Sequence, residues 1–283
     1  MLFTTVKELY RTDRTDLPKH KQLYVTLDTE TATDNPYVFF NNGVQGYNSL
    51  VYDAGLLVHD LKGNVYGTLN LIANDVFTYE RERMDSSYYH EKLQSYYTDI
   101  DNKVREVVSI QTIKDVIDYI VNELNITTIE AYNIKFDYEA LNHTYHKITH
   151  NYTDFFPKAT QLIDIKKMAH RHIYKNGKYN RKYKKFCEVN NCLTNHAIPR
   201  PNEKAETVYR YITKNTAFKE AHTGLKDCEI EKDIMVWLNR KDSTLKTNSS
   251  FKKYARYEVE MAWSHFYPKI EKRYRKWKKS MFT

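Results

Sequence analysis

Hydrophobic and polar positions along this chain follow two periods, and each marks a different kind of element. Leu23-Tyr24-Val25-Thr26-Leu27 is an unbroken run rich in β-formers that stops at Asp28, which predicts a buried strand. Residues 51–59 and 65–71 read as two more strands, joined as a hairpin by the turn-forming Asp60-Leu61-Lys62-Gly63-Asn64. The period then changes. Ile113, Val116, Ile117, Ile120, Val121 and Leu124 recur at helical spacing, and Thr112 with Asp115 is placed to cap that helix. Residues 126–132 predict a short strand, followed by a helix beginning near Phe136. Leu162-Ile163-Asp164 predicts another strand, leading into a basic helix. A further helix follows His222 and runs to about Leu238.

Between these elements the signals are weaker. Residues 1–21 are polar and mixed, an arm that is either mobile or laid over the rest. Asn35-Pro36, Asn41-Asn42-Gly43 and Gly46 make residues 31–49 a predicted loop. Residues 74–106 are charged and Tyr-rich, with a helix opening at Ser86-Ser87-Tyr88-Tyr89. A polar break at 243–250 precedes a last helical stripe of Val259, Trp263, Phe266, Ile270, Tyr274, Trp277 and Met281, interrupted at Pro268. That stripe reads as packing, against its own domain or a partner. Hairpin-connected strands followed by helix–strand–helix–strand–helix predict an α/β domain with a mixed sheet. The expected division is an arm at 1–21, one domain at 22–240, and a basic-aromatic helical extension at 251–283.

Composition narrows the class. The chain has 283 residues, 41% of them hydrophobic and 14% aromatic, enough to fill a buried core. No run approaches the ~18 apolar residues of a membrane span, and the N-terminal stretch lacks a secretory apolar segment. Cys187, Cys192 and Cys228 have no metal-knuckle spacing and cannot all pair, which fits a reducing cytoplasm. The net charge of +8 conceals an asymmetry. Residues 1–160 carry 15 Lys+Arg against 23 Asp+Glu, net −8, whereas residues 161–283 carry 29 against 13, net +16. A basic half beside an acidic half suits a protein that grips polyanions and gathers carboxylates elsewhere, around metal ions; a solvated basic surface is the plain alternative.

Three constellations carry candidate chemistry. Asp28-Thr29-Glu30 ends the first strand, and residues two apart on extended chain point to one side. Two acids converging without a basic partner repel, and a divalent cation with hard-oxygen preference, Mg²⁺ or Mn²⁺, relieves the repulsion. The pattern is unspecific by itself, because Asp-x-Glu recurs at Asp137/Glu139 and Asp227/Glu229. The second is Tyr132-Asn133-Ile134-Lys135-Phe136-Asp137, where Phe136 would anchor in the core and Asp137 would fall in the first helical turn, a place the helix dipole favours. The third is His222-Thr223-Gly224-Leu225-Lys226-Asp227. Both end residues reach one cavity if His222 lies on the entering loop and Asp227 in the first turns of the helix. Taken singly, each has a bland reading as a capping acid or a solvated histidine.

Taken together, in this order and spacing, the motifs resemble the DEDDh exonucleases. These are the DnaQ-like group of the ribonuclease H-like superfamily, which includes polymerase proofreading subunits, ribonuclease T and oligoribonuclease. The resemblance spans residues 22–240, and Asp164 falls where such proteins often carry Asp-Thr before a helix. The Tyr-, Asn- and Lys-heavy composition further resembles bacteriophage members, whose setting is the bacterial host cytoplasm. The resemblance implies a ribonuclease H-like mixed β-sheet flanked by helices and 3′–5′ hydrolysis of phosphodiesters to nucleoside 5′-monophosphates. It also implies two divalent ions, Mg²⁺ or Mn²⁺, held by Asp28, Glu30, Asp137 and Asp227, with His222 as general base. The chain departs from the family where Thr31-Ala32-Thr33 replaces Thr-Thr-Gly after the first motif, Tyr132 stands where His often precedes the Asn, and Gly224 replaces the usual Ala. A protein that keeps the fold as a nucleic-acid-binding or polymerase-associated scaffold without turnover is the competing expectation.

Substrate contacts are expected at Asn133 and along residues 166–185, which hold nine Lys+Arg and no acid. Lys175, Lys178, Arg181, Lys182, Lys184 and Lys185 would neutralise phosphates of a single-stranded DNA or RNA 3′ end, with Tyr174, Tyr179 and Tyr183 interleaved to stack on bases. The C-terminal Lys272-Arg273-Tyr274-Arg275-Lys276-Trp277-Lys278-Lys279 leaves three occupants open: nucleic acid, a polymerase or replication protein, or a second copy of the chain.

Overall fold

The computed structural model describes residues 1–32, 37–39, 45–47, 49–85 and 90–241. The strands are β1 (Leu23–Ala32), β2 (Tyr37–Phe39), β3 (Gln45–Tyr47), β4 (Leu50–Asp60), β5 (Val65–Ala73), β6 (Glu106–Val108), β7 (Thr128–Ala131) and β8 (Gln161–Asp164). The helices are α1 (Val6–Leu9), α2 (Asn74–Phe77), α3 (Arg81–Asp85), α4 (Leu93–Asp101), α5 (Ile110–Asn122), α6 (Ile134–Thr149), α7 (Ile165–Ala169), α8 (Gly177–Val189), α9 (Ala205–Thr213) and α10 (Gly224–Lys241). Six strands form one mixed sheet in the order β6-β5-β4-β1-β7-β8, with β4 antiparallel to both β1 and β5 and with β1, β7 and β8 mutually parallel. A mixed sheet flanked by helices is the ribonuclease H-like architecture that the motifs implied.

The alternation along β1 divides the molecule into two layers. Leu23, Val25 and Leu27 face a core built with α5 and α6, in which Ile113, Val116, Ile117 and Leu141 are buried. Tyr24 faces the opposite core, with Ile173, Tyr183, Val208 and Ile234 from the helical layer of α7 to α10. Since side chains two apart share a face, Asp28 and Glu30 are turned with Tyr24 toward α10. Every residue of β4 is buried, as a central strand covered on both faces should be. The N-terminal arm is laid over the sheet. Phe3 bridges to Gly67, where its ring occupies the space a Cβ would need, and Leu9 and Leu17 join the first core.

Several expectations change. β1 continues four residues past Asp28, because its pairing with β4 is maintained through a register shift between Glu30 and Thr31. The predicted loop at 31–49 therefore begins as strand, and it also contains the antiparallel pair β2–β3. α5 is capped by Ser109, whose hydroxyl accepts from the Thr112 N–H at 3.0 Å, rather than by Thr112 with Asp115. Phe136 is only half-buried; Ile134 and Tyr138 are the core anchors of α6. The predicted helix opening at Ser86-Ser87-Tyr88-Tyr89, the polar break and the C-terminal extension lie outside the described residues. Cys187, Cys192 and Cys228 are all free and buried. Among the described residues no helix is long and apolar enough to cross a membrane.

Candidate active site

The acidic residues come from three elements that converge beside the C-terminal half of β1. Asp28 and Glu30 project from β1 toward α10, and each keeps part of its surface open to solvent. Thr29 points the other way, toward α6. Its N–H and its hydroxyl both donate to Asp137 Oδ1, at 3.1 and 2.8 Å, so the first turn of α6 is tied to the strand between the two acids. Asp227 lies in the first turn of α10 and is buried. Its Oδ1 has no hydrogen-bond partner among the described residues.

α10 can come this close to the sheet because two glycines face each other. A Cβ on Gly224 would stand 2.5 Å from Gly55 N and 3.1 Å from Asp28 O, and a Cβ on Gly55 would run into the backbone of Gly224 and Leu225. Position 224 is glycine for a reason visible here: the backbone of β4 leaves no room for a methyl group. The start of the helix is also pinned, since the Gly224 N–H donates to Asp53 Oδ2 at 3.0 Å.

His222 sits on the loop before α10 in a left-handed conformation, φ 51°. For a residue with a Cβ this costs about 1–2 kcal/mol, so something must hold it. The Lys92 ammonium, just ahead of α4, donates to the carbonyls of Ala221 at 2.5 Å and His222 at 3.4 Å. Glu220 Oε2 lies 3.6 Å from His222 Nδ1. A ring nitrogen of His222 and carboxylate oxygens of Glu30 and Asp227 all lie within 4.8 Å of one another, a spacing three ligands of one cation can adopt.

The electrostatics are those of acids short of positive charge. Burial, then Glu231 and Asp137, push Asp28 well above the carboxylate range. Burial raises Asp137 to about 7 and, together with Glu220, raises Asp227 to about 8. Glu30 is pushed up by burial, by Asp227 and by Asp53, with Lys92 opposing. Burial, Lys92 and Lys204 lower His222, which keeps its imidazole neutral at neutral pH. A divalent cation would reverse these shifts, and the orphaned Asp227 Oδ1 is the kind of atom that accepts one. The donor set, all carboxylate oxygens and one imidazole, fits Mg²⁺ or Mn²⁺.

The remaining expected contacts are elsewhere. Asn133 is exposed at the N-cap of α6 with φ 80°, a conformation Asn tolerates better than most residues. The basic stretch divides into α7, a turn at 170–174 and α8. Lys175, Lys178, Arg181, Lys182, Lys184 and Lys185 are all exposed there. The interleaved tyrosines are not. Tyr183 is fully buried against Tyr174 and Tyr211, and Tyr179 packs on His172 and Trp237. The face is therefore electrostatic, without the stacking platform the sequence predicts, because these rings pack on His172, Trp237 and Tyr211 in the layer beneath.

Sequence reasoning missed Lys92, Glu220, Asp53 and Glu231. Two left a signal. Asp53 interrupts a strand that is otherwise apolar for several residues, and Glu231 stands four residues after Asp227, between the buried Ile230 and Ile234. Acids on apolar faces are costly and need an explanation.

No family model matches the sequence, and no curated protein sequence does. Among solved structures the chain is similar to a 3′-exonuclease described with 3′-end specific recognition of a histone mRNA stem-loop, at 13% identity and a TM-score of 0.46, covering 79% of this chain and 84% of that one. It is similar to the zinc-bound E. coli ExoI–ssDNA complex at 13% identity and a TM-score of 0.47, covering 80% of this chain but 42% of that one. It is also similar to S. pombe Pop2p in its Mg²⁺- and Mn²⁺-bound form, at 13% identity and a TM-score of 0.44, covering 88% and 97%. Likenesses of this size decide neither the activity nor which side chains act; those rest on the chain's own geometry.

Proposed function

We propose that this chain is a metal-dependent 3′–5′ exonuclease of the DEDDh type, acting on single-stranded nucleic acid ends. The observation that carries the reading is the convergence of Asp28, Glu30, Asp137 and Asp227, all raised first by burial, with Asp137, Asp227 and Glu30 acting on Asp28 and Asp227 acting on Glu30, and with a His222 ring nitrogen within 4.8 Å of Glu30 and Asp227. Asp28, Glu30 and Asp227 would hold one divalent ion, with Asp28 also turned to a second that Asp137 supports. Bound there, a pair of such ions stabilises the attacking and leaving oxygens of an in-line phosphoryl displacement.

The chain's own residues do the rest. His222, neutral and half-buried, takes the proton of the attacking water. Lys92 and Glu220 keep its ring and its left-handed backbone in place. Asn133, exposed where α6 starts, would meet the terminal nucleotide. The six exposed cations of 175–185 supply sequence-independent attraction to phosphates.

The test uses 5′-end-labelled single-stranded DNA and RNA with Mg²⁺, Mn²⁺ or EDTA. A ladder shortening from the 3′ end under metal, absent in EDTA and in Asp28→Ala, is the expected result. His222→Ala should lose on the order of 10²–10⁴ in rate, the scale of a positioned base. Binding without product under every metal would overturn the enzyme reading and leave a scaffold.

A further inference from the structure

A carboxylate that the motifs do not include is as deeply buried as any acid of the site. Glu231 is one helical turn beyond Asp227 on α10, on the same face, and α10 packs on β1 and β4. It is 3% exposed. One of its oxygens accepts from the Tyr132 backbone N–H at the end of β7, and the other, Oε2, has no hydrogen-bond partner among the described residues. The carboxylate acting most strongly on Asp28 is Glu231, and the one acting most strongly on Glu231 is Asp137. Glu231 therefore belongs to the same cluster of acids as Asp28 and Asp137, the two expected to share the second ion, and reaches it from the face of α10 that carries Asp227. Asp137 has its Oδ1 already committed to two donors from Thr29, which leaves that ion short of oxygen ligands.

We infer that Glu231 is a fifth carboxylate of the metal cavity, its Oε2 a direct ligand for the ion shared by Asp28 and Asp137. This rests on the two-cation reading of the site. The alternative is a neutral acid that serves only to hold the Tyr132 N–H. The two differ in charge, and Glu231→Gln separates them, because glutamine keeps an acceptor for that N–H and removes the charge.

The experiment is a Mn²⁺ titration by calorimetry of wild type, Glu231→Gln and Asp28→Asn, with thermal unfolding of each in EDTA. If Glu231 is a ligand, Glu231→Gln weakens the second Mn²⁺ by on the order of 10–100-fold or more, since even outer-shell partners of a metal are worth that much. Its unfolding temperature in EDTA, no lower than that of wild type, shows that the variant folds. If Glu231→Gln binds Mn²⁺ as wild type does while Asp28→Asn does not, the inference is overturned and the cation site stands. If wild type and Asp28→Asn bind alike, or neither binds, the cation site itself falls and this inference with it. Wild-type crystals soaked in Mn²⁺ give a readout that needs no variant: an anomalous peak about 2.1 Å from Glu231 Oε2 is expected. Peaks confined to the other four acids would overturn the ligand role.

Discussion

Two buried acid clusters lie side by side on this sheet, and they solve the same problem in opposite ways. Asp53 on β4 is the register partner of Glu30 on β1. Asp53 is fully buried, yet its Oδ2 accepts from Arg105 at 2.9 Å, Tyr96 OH at 2.7 Å and the Gly224 N–H at 3.0 Å. Arg105 is in turn bound by Asp99 and Asn70, and its guanidinium lies 4.0 Å over the Tyr96 ring. A cation, a ring and a helix start are locked together around one acid. Across the strand, Asp28, Asp137, Asp227 and Glu231 share no buried arginine among the described residues, and their protonation is shifted upward accordingly. A buried acid that brings its own cation is part of the scaffold. Acids that bring none are, on the proposed reading, the ones that take a cation from solution.

The comparison can be broken in three places. The largest effect is expected from Arg105→Met, which strands Asp53 without its cation; breaking a buried pair in this way costs about 3–5 kcal/mol. Because Asp53 holds the Gly224 N–H, the same variant should loosen α10 and lower activity together with stability. Urea unfolding checks the first, and an unchanged midpoint would remove Asp53–Arg105 from the scaffold.

Asp227→Asn should act in the opposite direction. With its native value near 8 against an ordinary 3.8, Asp227 makes the folded state hold a proton that the unfolded chain has released. Its ionisation therefore costs nothing below about pH 4 and costs progressively more as pH rises to about 8. In EDTA the variant should melt level with wild type at low pH and several degrees above it at pH 8, each kcal/mol being worth about 2–4 °C in a chain of this size. Saturating Mn²⁺ should reverse the order, since wild type gains the ion and the variant does not. A difference that did not grow with pH would mean Asp227 is already neutralised inside the fold.

The smallest effect concerns the basic helix. Replacing Lys178, Lys182, Lys184 and Lys185 with glutamine should weaken binding of single strands while leaving kcat unchanged. Each phosphate that is no longer neutralised should flatten the slope of log affinity against log salt by about 0.7. Lys184 should contribute least, because Glu188 lies 4.0 Å from it. An unaltered slope would make α8 a solvated surface.

Much of this arrangement was legible in the chain before folding. The strand carrying Asp28 and Glu30, the hairpin of β4 and β5, and the helices carrying Asp137 and Asp227 follow from local period and turn chemistry, because alternation and helical spacing are written within a few residues; the run of β1 on to Ala32 does not, because it depends on pairing with β4. The outward face of α8 was legible in its charge, but not the inward turn of Tyr174, Tyr179 and Tyr183, which depends on what packs beneath. Nothing local distinguishes Asp53 from Glu231: each is an acid on an apolar element. Whether such an acid meets Arg105 from another segment or only further carboxylates is decided by residues distant along the chain, brought within a few ångströms by the sheet order and by the close approach of Gly55 to Gly224. The sequence determined which groups could ionise and which elements would carry them. Only tertiary structure decided where charge was left unbalanced, because the balance is a sum over neighbours in space.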